Sequence, residues 1–167
     1  MTNASWINWA SGANVDLTGI ITLNGASGTS GALLASQGSA DPVWKFGHAS
    51  GALIGVLSTS GAIIASGAYV DLLVPYPCII TRATVLPNTS GSLSVRIEKD
   101  TYANYPPTAA DNIAGAGLIL TSTTKLQDST LTNWTTAINP QDIIRFVASG
   151  AATSIAQASI ILEVRKE

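Results

Sequence analysis

Residues 92–99 read Ser-Leu-Ser-Val-Arg-Ile-Glu-Lys, so in an extended chain Leu93, Val95 and Ile97 point one way and Ser94, Arg96 and Glu98 the other. That period of two predicts a half-buried antiparallel strand. Residues 78–86 are its expected partner, across a turn at Pro87-Asn-Thr-Ser-Gly91. This partner carries Ile79, Thr81, Ala83 and Val85 on one face and Ile80, Arg82, Thr84 and Leu86 on the other. Both faces are semi-apolar, and one is expected to meet a neighbouring subunit. Asn139-Pro140-Gln-Asp142 reads as a turn, because Pro140 presets φ and Asp142 can bond nearby backbone. A strand over 143–147 follows, then a turn at Ser149-Gly150. The closing strand, 156–165, alternates Ala158, Ile160, Leu162 and Val164 against Ser159, Ile161, Glu163 and Arg165. Short strands between regular turn signals predict an all-β, antiparallel β-sandwich, jelly-roll-like, over residues 61–167.

Residues 1–60 have a different pattern. Ser30-Gly-Ala-Leu-Leu-Ala-Ser36, Ser50-Gly-Ala-Leu-Ile-Gly-Val56 and Ser60-Gly-Ala-Ile-Ile-Ala-Ser66 repeat a small apolar strand introduced by a Ser-Gly turn. Each interior Gly costs a helix about 1 kcal/mol relative to Ala, so extended segments joined by turns are expected instead. Such an arm buries too little surface to order itself, and should either move freely or pack against a partner chain. Trp6, Trp9 and Trp44 argue for packing, since aromatic anchors carry protein interfaces. They and the repeat residues Leu33, Leu34, Leu53 and Ile54 are the candidate subunit-contact residues. The alternative is that the three Trp tuck onto their own domain.

Composition sharpens this picture. Charged residues are only 11% of the 167, against roughly 25% in ordinary soluble domains, and 46% are apolar. Such a surface suits lying against other protein. The formal net charge of −2 gives no basic field to gather phosphates, so nucleic acid is not an expected partner. The single cysteine, Cys78, reads as a buried, inert thiol. Residues 49–69 lack charge and could be weighed as a membrane span. Four glycines, Ser58, Thr59, Ser60 and Ser66, and the missing basic flank argue against a span. The first ten residues show no secretory signal, which fits synthesis in a reducing cytoplasm.

Chemistry is sparse. The only histidine, His48, falls in the arm, and no G-x-S-x-G, phosphate-loop, H-E-x-x-H or dinucleotide motif occurs. No catalytic residue, metal site or cofactor is expected. Asp100, Asp111, Asp128 and Asp142 lie near loops, where turn capping is the common use of Asp. The loop 100–108, Asp-Thr-Tyr-Ala-Asn-Tyr-Pro-Pro-Thr, cannot be helix at Pro106-Pro107. It offers Asp100, Tyr102, Asn104 and Tyr105 as candidate exposed contacts, since tyrosine among small polar neighbours suits binding loops. The other reading is that its tyrosines stack on the prolines and plug one end of the sandwich.

Two parts of the chain resemble structural proteins of tailed bacteriophages. Residues 28–44, Gly-Thr-Ser-Gly-Ala-Leu-Leu-Ala-Ser-Gln-Gly-Ser-Ala-Asp-Pro-Val-Trp, resemble the Gly-x-Leu-x-Ser-x-Gly-x-x-x-Pro-x-Trp unit of phage fibre and appendage proteins. Residues 99–108, with Ala110-Asp-Asn-Ile113, Gln127-Asp-Ser-Thr-Leu-Thr-Asn-Trp134 and Asp142-Ile-Ile-Arg-Phe146, are similar to a β-sandwich module of phage virion proteins. That group includes trimeric cement proteins on the capsid exterior and the host-facing distal domains of tailspikes. The resemblance implies a homotrimer without enzymatic activity, made in the host cytoplasm and carried on the virion. Because the chain starts at Met1 with no room for a long shaft, a cement protein bound to the major capsid protein is expected. The alternative is a tail-fibre or tailspike-type protein recognising a host surface receptor or glycan.

Overall fold

The computed structural model describes the backbone of Thr22–Leu23, Ala26–Ser27, Ala32–Gln37 and Ala40–Phe46, and residues 50–167 in full. The chain divides into two units, Met1–Gly47 and His48–Glu167.

In the first unit β1 (Thr22–Leu23) pairs with β2 (Ala26–Ser27), and β3 (Ala32–Gln37) with β4 (Ala40–Phe46), both antiparallel. The first repeat copy is therefore a strand, with Leu34 opposite Trp44 and Leu33 opposite Lys45 in its hairpin. Trp6, Trp9 and His48 lie outside the described residues.

The second unit is all-β and antiparallel. It consists of β5 (Ser50–Ser58), β6 (Tyr69–Val74), β7 (Cys78–Pro87), β8 (Gly91–Thr101), β9 (Leu118–Thr123), β10 (Leu126–Asp128), β11 (Ala137–Ile138), β12 (Asp142–Ala148) and β13 (Gln157–Lys166). One sheet has the order β10-β7-β13-β5, with β11 also on β7; the other has the order β6-β12-β8-β9. The inward residues of both sheets form one core, including Leu53, Leu57, Val85, Leu93, Ile97, Phe146, Ile160 and Leu162. Each such side chain contributes about 1.5–3 kcal/mol of burial.

The alternation read in residues 92–99 and 156–165 matches the structure: Leu93, Val95 and Ile97 are buried in β8, and Ala158, Ile160, Leu162 and Val164 in β13. The turn before β12 also falls where Pro140 and Asp142 set it, with the Asp142 carboxylate accepting the Asn139 N–H at 2.9 Å.

Three expectations are corrected. The division at residue 60 moves to 47/48, because β5 belongs to the two-sheet unit. It runs antiparallel to β13 from Ser58 opposite Gln157 to Ser50 opposite Arg165. One of its glycines is a packing device: a Cβ on Gly55 would run into the Phe146 ring. The third repeat copy, 60–66, is not a strand; Ser60 and Gly61 adopt left-handed φ values of 52° and 99° and turn the chain, while Ile64 still reaches the core. Lastly, β7 and β8 do not form a hairpin but lie in different sheets. The intervening turn is fastened to β13 instead: Asn88 donates its N–H to the Gln157 carbonyl at 2.8 Å, and its side chain accepts the N–H groups of Ala156 and Gln157. The two semi-apolar faces of β7 have a local cause. The β7–β13 register slips between Arg82 and Ile80, leaving Thr81 as an extra residue, so the buried set changes from Cys78 and Ile80 to Ala83 and Val85.

Candidate functional site

The described unit has two outer surfaces, and the sequence-predicted contacts are divided between them. On the β6-β12-β8-β9 sheet, register places Asp71, Arg145 and Glu98 side by side across three strands. Arg145 holds Asp71 through two bonds, Nε to Oδ1 at 2.6 Å and Nη2 to Oδ2 at 2.7 Å. It also donates to the Pro107 carbonyl at 3.2 Å, and the Tyr105 hydroxyl donates to Asp71 Oδ2 at 3.0 Å. The guanidinium lies 4.1 Å from the Tyr69 ring centre and 5.7 Å from that of Tyr105, within cation–π range.

This network ties the segment after β8 down across the sheet. Pro107 is buried, and Ile143 and Val147, which face away from the main core, are almost fully covered. Arg145 lowers the Asp71 carboxyl below its ordinary value and is itself raised by that bond; the same carboxylate raises the Tyr105 phenol. Glu98 is buried and accepts from Arg96 Nε at 2.7 Å.

The predicted loop residues take distinct places here. Asp100 Oδ1 accepts the Thr101 N–H and the Asn104 amide, closing the turn. Tyr102 is exposed, and Tyr105 remains 52% exposed although its hydroxyl is bound to Asp71. Tyr105 is thus anchored on Arg145 and Asp71. Asp111, Asp128 and Asp142 each accept backbone N–H groups of neighbouring turns. The Thr108 hydroxyl holds the Asp111 carboxyl below its usual range, and the Leu131 N–H does the same for Asp128. Cys78 is buried, which pushes its thiol pKa up and keeps it protonated and inert.

The other outer surface belongs to β10-β7-β13-β5. Leu53, expected as a contact residue, is a core residue and cannot serve as one, because the strict alternation of β5 turns it inward. Ile54, its neighbour, is 54% exposed, and Val56 and Leu86 are 43% and 44% exposed on the same side. Pairing registers place Ile54 beside Ile161 and Val56 beside Ser159, which in turn faces Leu86. Beyond Leu86 a shallow groove of about 420 Å³ is lined by Thr84, Leu86, Lys125, Leu126 and Gln127.

Sequence reasoning missed Tyr69, Asp71 and Arg145 on the first surface and Val56 and Leu86 on the second. A lone Asp and a lone Arg within otherwise apolar strands were the visible signal for the ion pair, but their pairing depends on register between segments 74 residues apart. Among the described residues no group of three or more His, Cys, Asp or Glu is placed to hold a metal ion. Nor is any helix there long and apolar enough to cross a membrane; residues 50–58 of the uncharged stretch are a β-strand. No protein-family model and no curated protein matches the chain.

Proposed function

We propose that the chain is a bacteriophage virion structural protein, a trimeric cement protein that lies on the outer surface of the capsid and ties neighbouring copies of the major capsid protein together. The strand order β5-β13-β7-β10 facing β6-β12-β8-β9 supports reading the domain as an eight-stranded jelly-roll sandwich, an architecture common in virion and lectin domains. The observation that carries the cement reading is the outer face of β5 and β7, where Ile54, Val56 and Leu86 project from strands that offer water little charge. Apolar side chains grouped in this way mark protein contacts. Residues 1–47, with Trp6, Trp9, Leu33, Leu34 and Trp44, extend the contact along the capsid, and many weak repeated sites add up by multivalency.

Receptor recognition is the second reading, and one observation favours it: Tyr69 and Tyr105 pack around Arg145 yet expose 58% and 52% of their surface. Immobilised tyrosines bind with little entropy loss, as in antibody loops. The two readings separate in one experiment. Under the cement reading, Ile54→Lys combined with Val56→Lys removes the protein from purified particles and lowers their resistance to heat, while Tyr105→Ala leaves occupancy intact. The receptor reading requires that Tyr105→Ala abolish adsorption to cells while particle stability is unchanged.

A further inference from the structure

Edge strands expose a row of unpaired N–H and C=O groups, and proteins ordinarily blunt them with charge, proline, bulges or brevity. Three of the four edges here are treated in that way. β6 carries Asp71, bound to Arg145 and Tyr105; β9 pairs with β8 through an irregular register; β10 is only three residues long. β5 is the exception. It is nine residues long, reads Ser-Gly-Ala-Leu-Ile-Gly-Val-Leu-Ser with no charge and no proline, and pairs with β13 without a register break. Among the described residues its opposite edge bears no strand.

The sequence of β5 is also complementary to itself. Laid antiparallel on a second β5 with Ile54 at the centre, Ser50 faces Ser58, Ala52 faces Val56 and Leu53 faces Gly55. On the outer side Ile54 meets Ile54 and Ala52 meets Val56, which are apolar pairs of the kind that stabilise sheets. On the inner side the large Leu53 falls opposite Gly55, which has no Cβ to compete for the space. No like charges are brought together at any position. A shift by one residue would set outward residues of one copy beside inward residues of the other, which leaves only shifts by two, and of these centring on Ile54 alone pairs all nine residues of the strand.

We infer that β5 is a self-association edge: two copies join through antiparallel β5–β5 pairing about a two-fold axis at Ile54, making one continuous sheet from their β10-β7-β13-β5 sheets. Such a contact is isologous and closes on itself, so it stops at two copies. It stands without the capsid reading; if that reading holds, the contact links one trimer to the next.

The test uses the full-length protein with single cysteines on the outer side of the strand, under mild oxidation, with products separated without reductant. Ile54→Cys lies on the axis, within the Cα separation that a disulfide spans, and is expected to shift to the dimer mass. Val56→Cys faces position 52 of the other copy, about 13 Å from its own counterpart at the strand rise per residue, and is expected to remain at the monomer mass. The double variant Ala52→Cys with Val56→Cys is expected to cross-link again. Wild-type protein sedimenting as even-numbered assemblies, with Ile54→Lys halving the mass, is the matching result without cysteines. Failure of Ile54→Cys to cross-link, or equal cross-linking of Ile54→Cys and Val56→Cys, overturns the pairing. Each readout concerns the free protein, so none depends on whether it binds capsids.

Discussion

The two outer faces of the second unit differ in how the chain crosses them: a loop is bonded across one of them through Arg145. On the β6-β12-β8-β9 sheet, a loop is pinned over the strands by Arg145, and outward-facing Ile143 and Val147 are nearly buried. Charges are paired at close range on both sheets, Arg145 with Asp71 and Arg96 with Glu98 on this one and Arg82 with Glu163 on the other. The β10-β7-β13-β5 sheet has no such cover over Ile54, Val56 and Leu86. Apolar side chains stay exposed on both faces, Leu73 and Ile119 on the first and Ile54, Val56 and Leu86 on the second, so the pinned loop shields only part of its own sheet. Under the proposed reading the loop-covered face serves stability through the Arg145 network, and the bare face of Ile54, Val56 and Leu86 meets other protein.

Substitutions can break this division, and the largest effect is expected on the inner side of β5. Gly55→Ala forces a methyl into the Phe146 ring and should cost about 3 kcal/mol in urea unfolding, at the upper end for an overpacked core. Next comes the covered face. Arg145→Ala strands Asp71 and releases the loop, and a loss of about 2 kcal/mol is expected, between values for exposed and fully buried pairs. Hydrogen exchange should quicken over residues 102–117 in that variant while β5 is unchanged.

The same pair sets a pH dependence. Asp71 is held below its ordinary value of about 3.8, chiefly by the Arg145 hydrogen bonds, so the folded state binds that proton less readily than the unfolded chain. Its contribution is complete above the unfolded carboxylate range and is lost as pH falls through the folded value. Wild-type stability should therefore decline below about pH 4 more steeply than that of Asp71→Asn, as thermal unfolding across pH 2–5 will show. The smallest effect on stability belongs to the bare face. Ile54→Ser should change unfolding free energy by no more than about 0.5 kcal/mol, as surface substitutions usually do. The same change should weaken association with protein partners, measured by particle occupancy. A large stability loss from Ile54→Ser would erase the contrast between the faces.

How much of this was legible in the sequence depended on whether the information was local. Alternation in 92–99 and 156–165 gave β8 and β13, and Pro140 with Asp142 gave the turn before β12, because each is decided within a few residues. β5 was misassigned to the arm because Gly51 and Gly55 resemble linker glycine; only the position of Phe146, far along the chain, shows that one of them makes room for a ring. The β7–β8 hairpin was the natural local guess, but Asn88 bonds to β13, a partner supplied by the fold. For the candidate site, the Pro-Pro loop made Tyr102 and Tyr105 visible. Asp71 and Arg145, which hold Tyr105 in place, were hidden by their long separation in sequence.

The measurement that tests the central claim most directly is a cryo-EM reconstruction of intact particles at a resolution that orients the two-sheet unit. The account predicts regular density over the capsid lattice, with the face of Ile54, Val56 and Leu86 against neighbouring protein and the Arg145-pinned loop outward. Density confined to the tail, or a lattice position with that apolar face open to solvent, would contradict it.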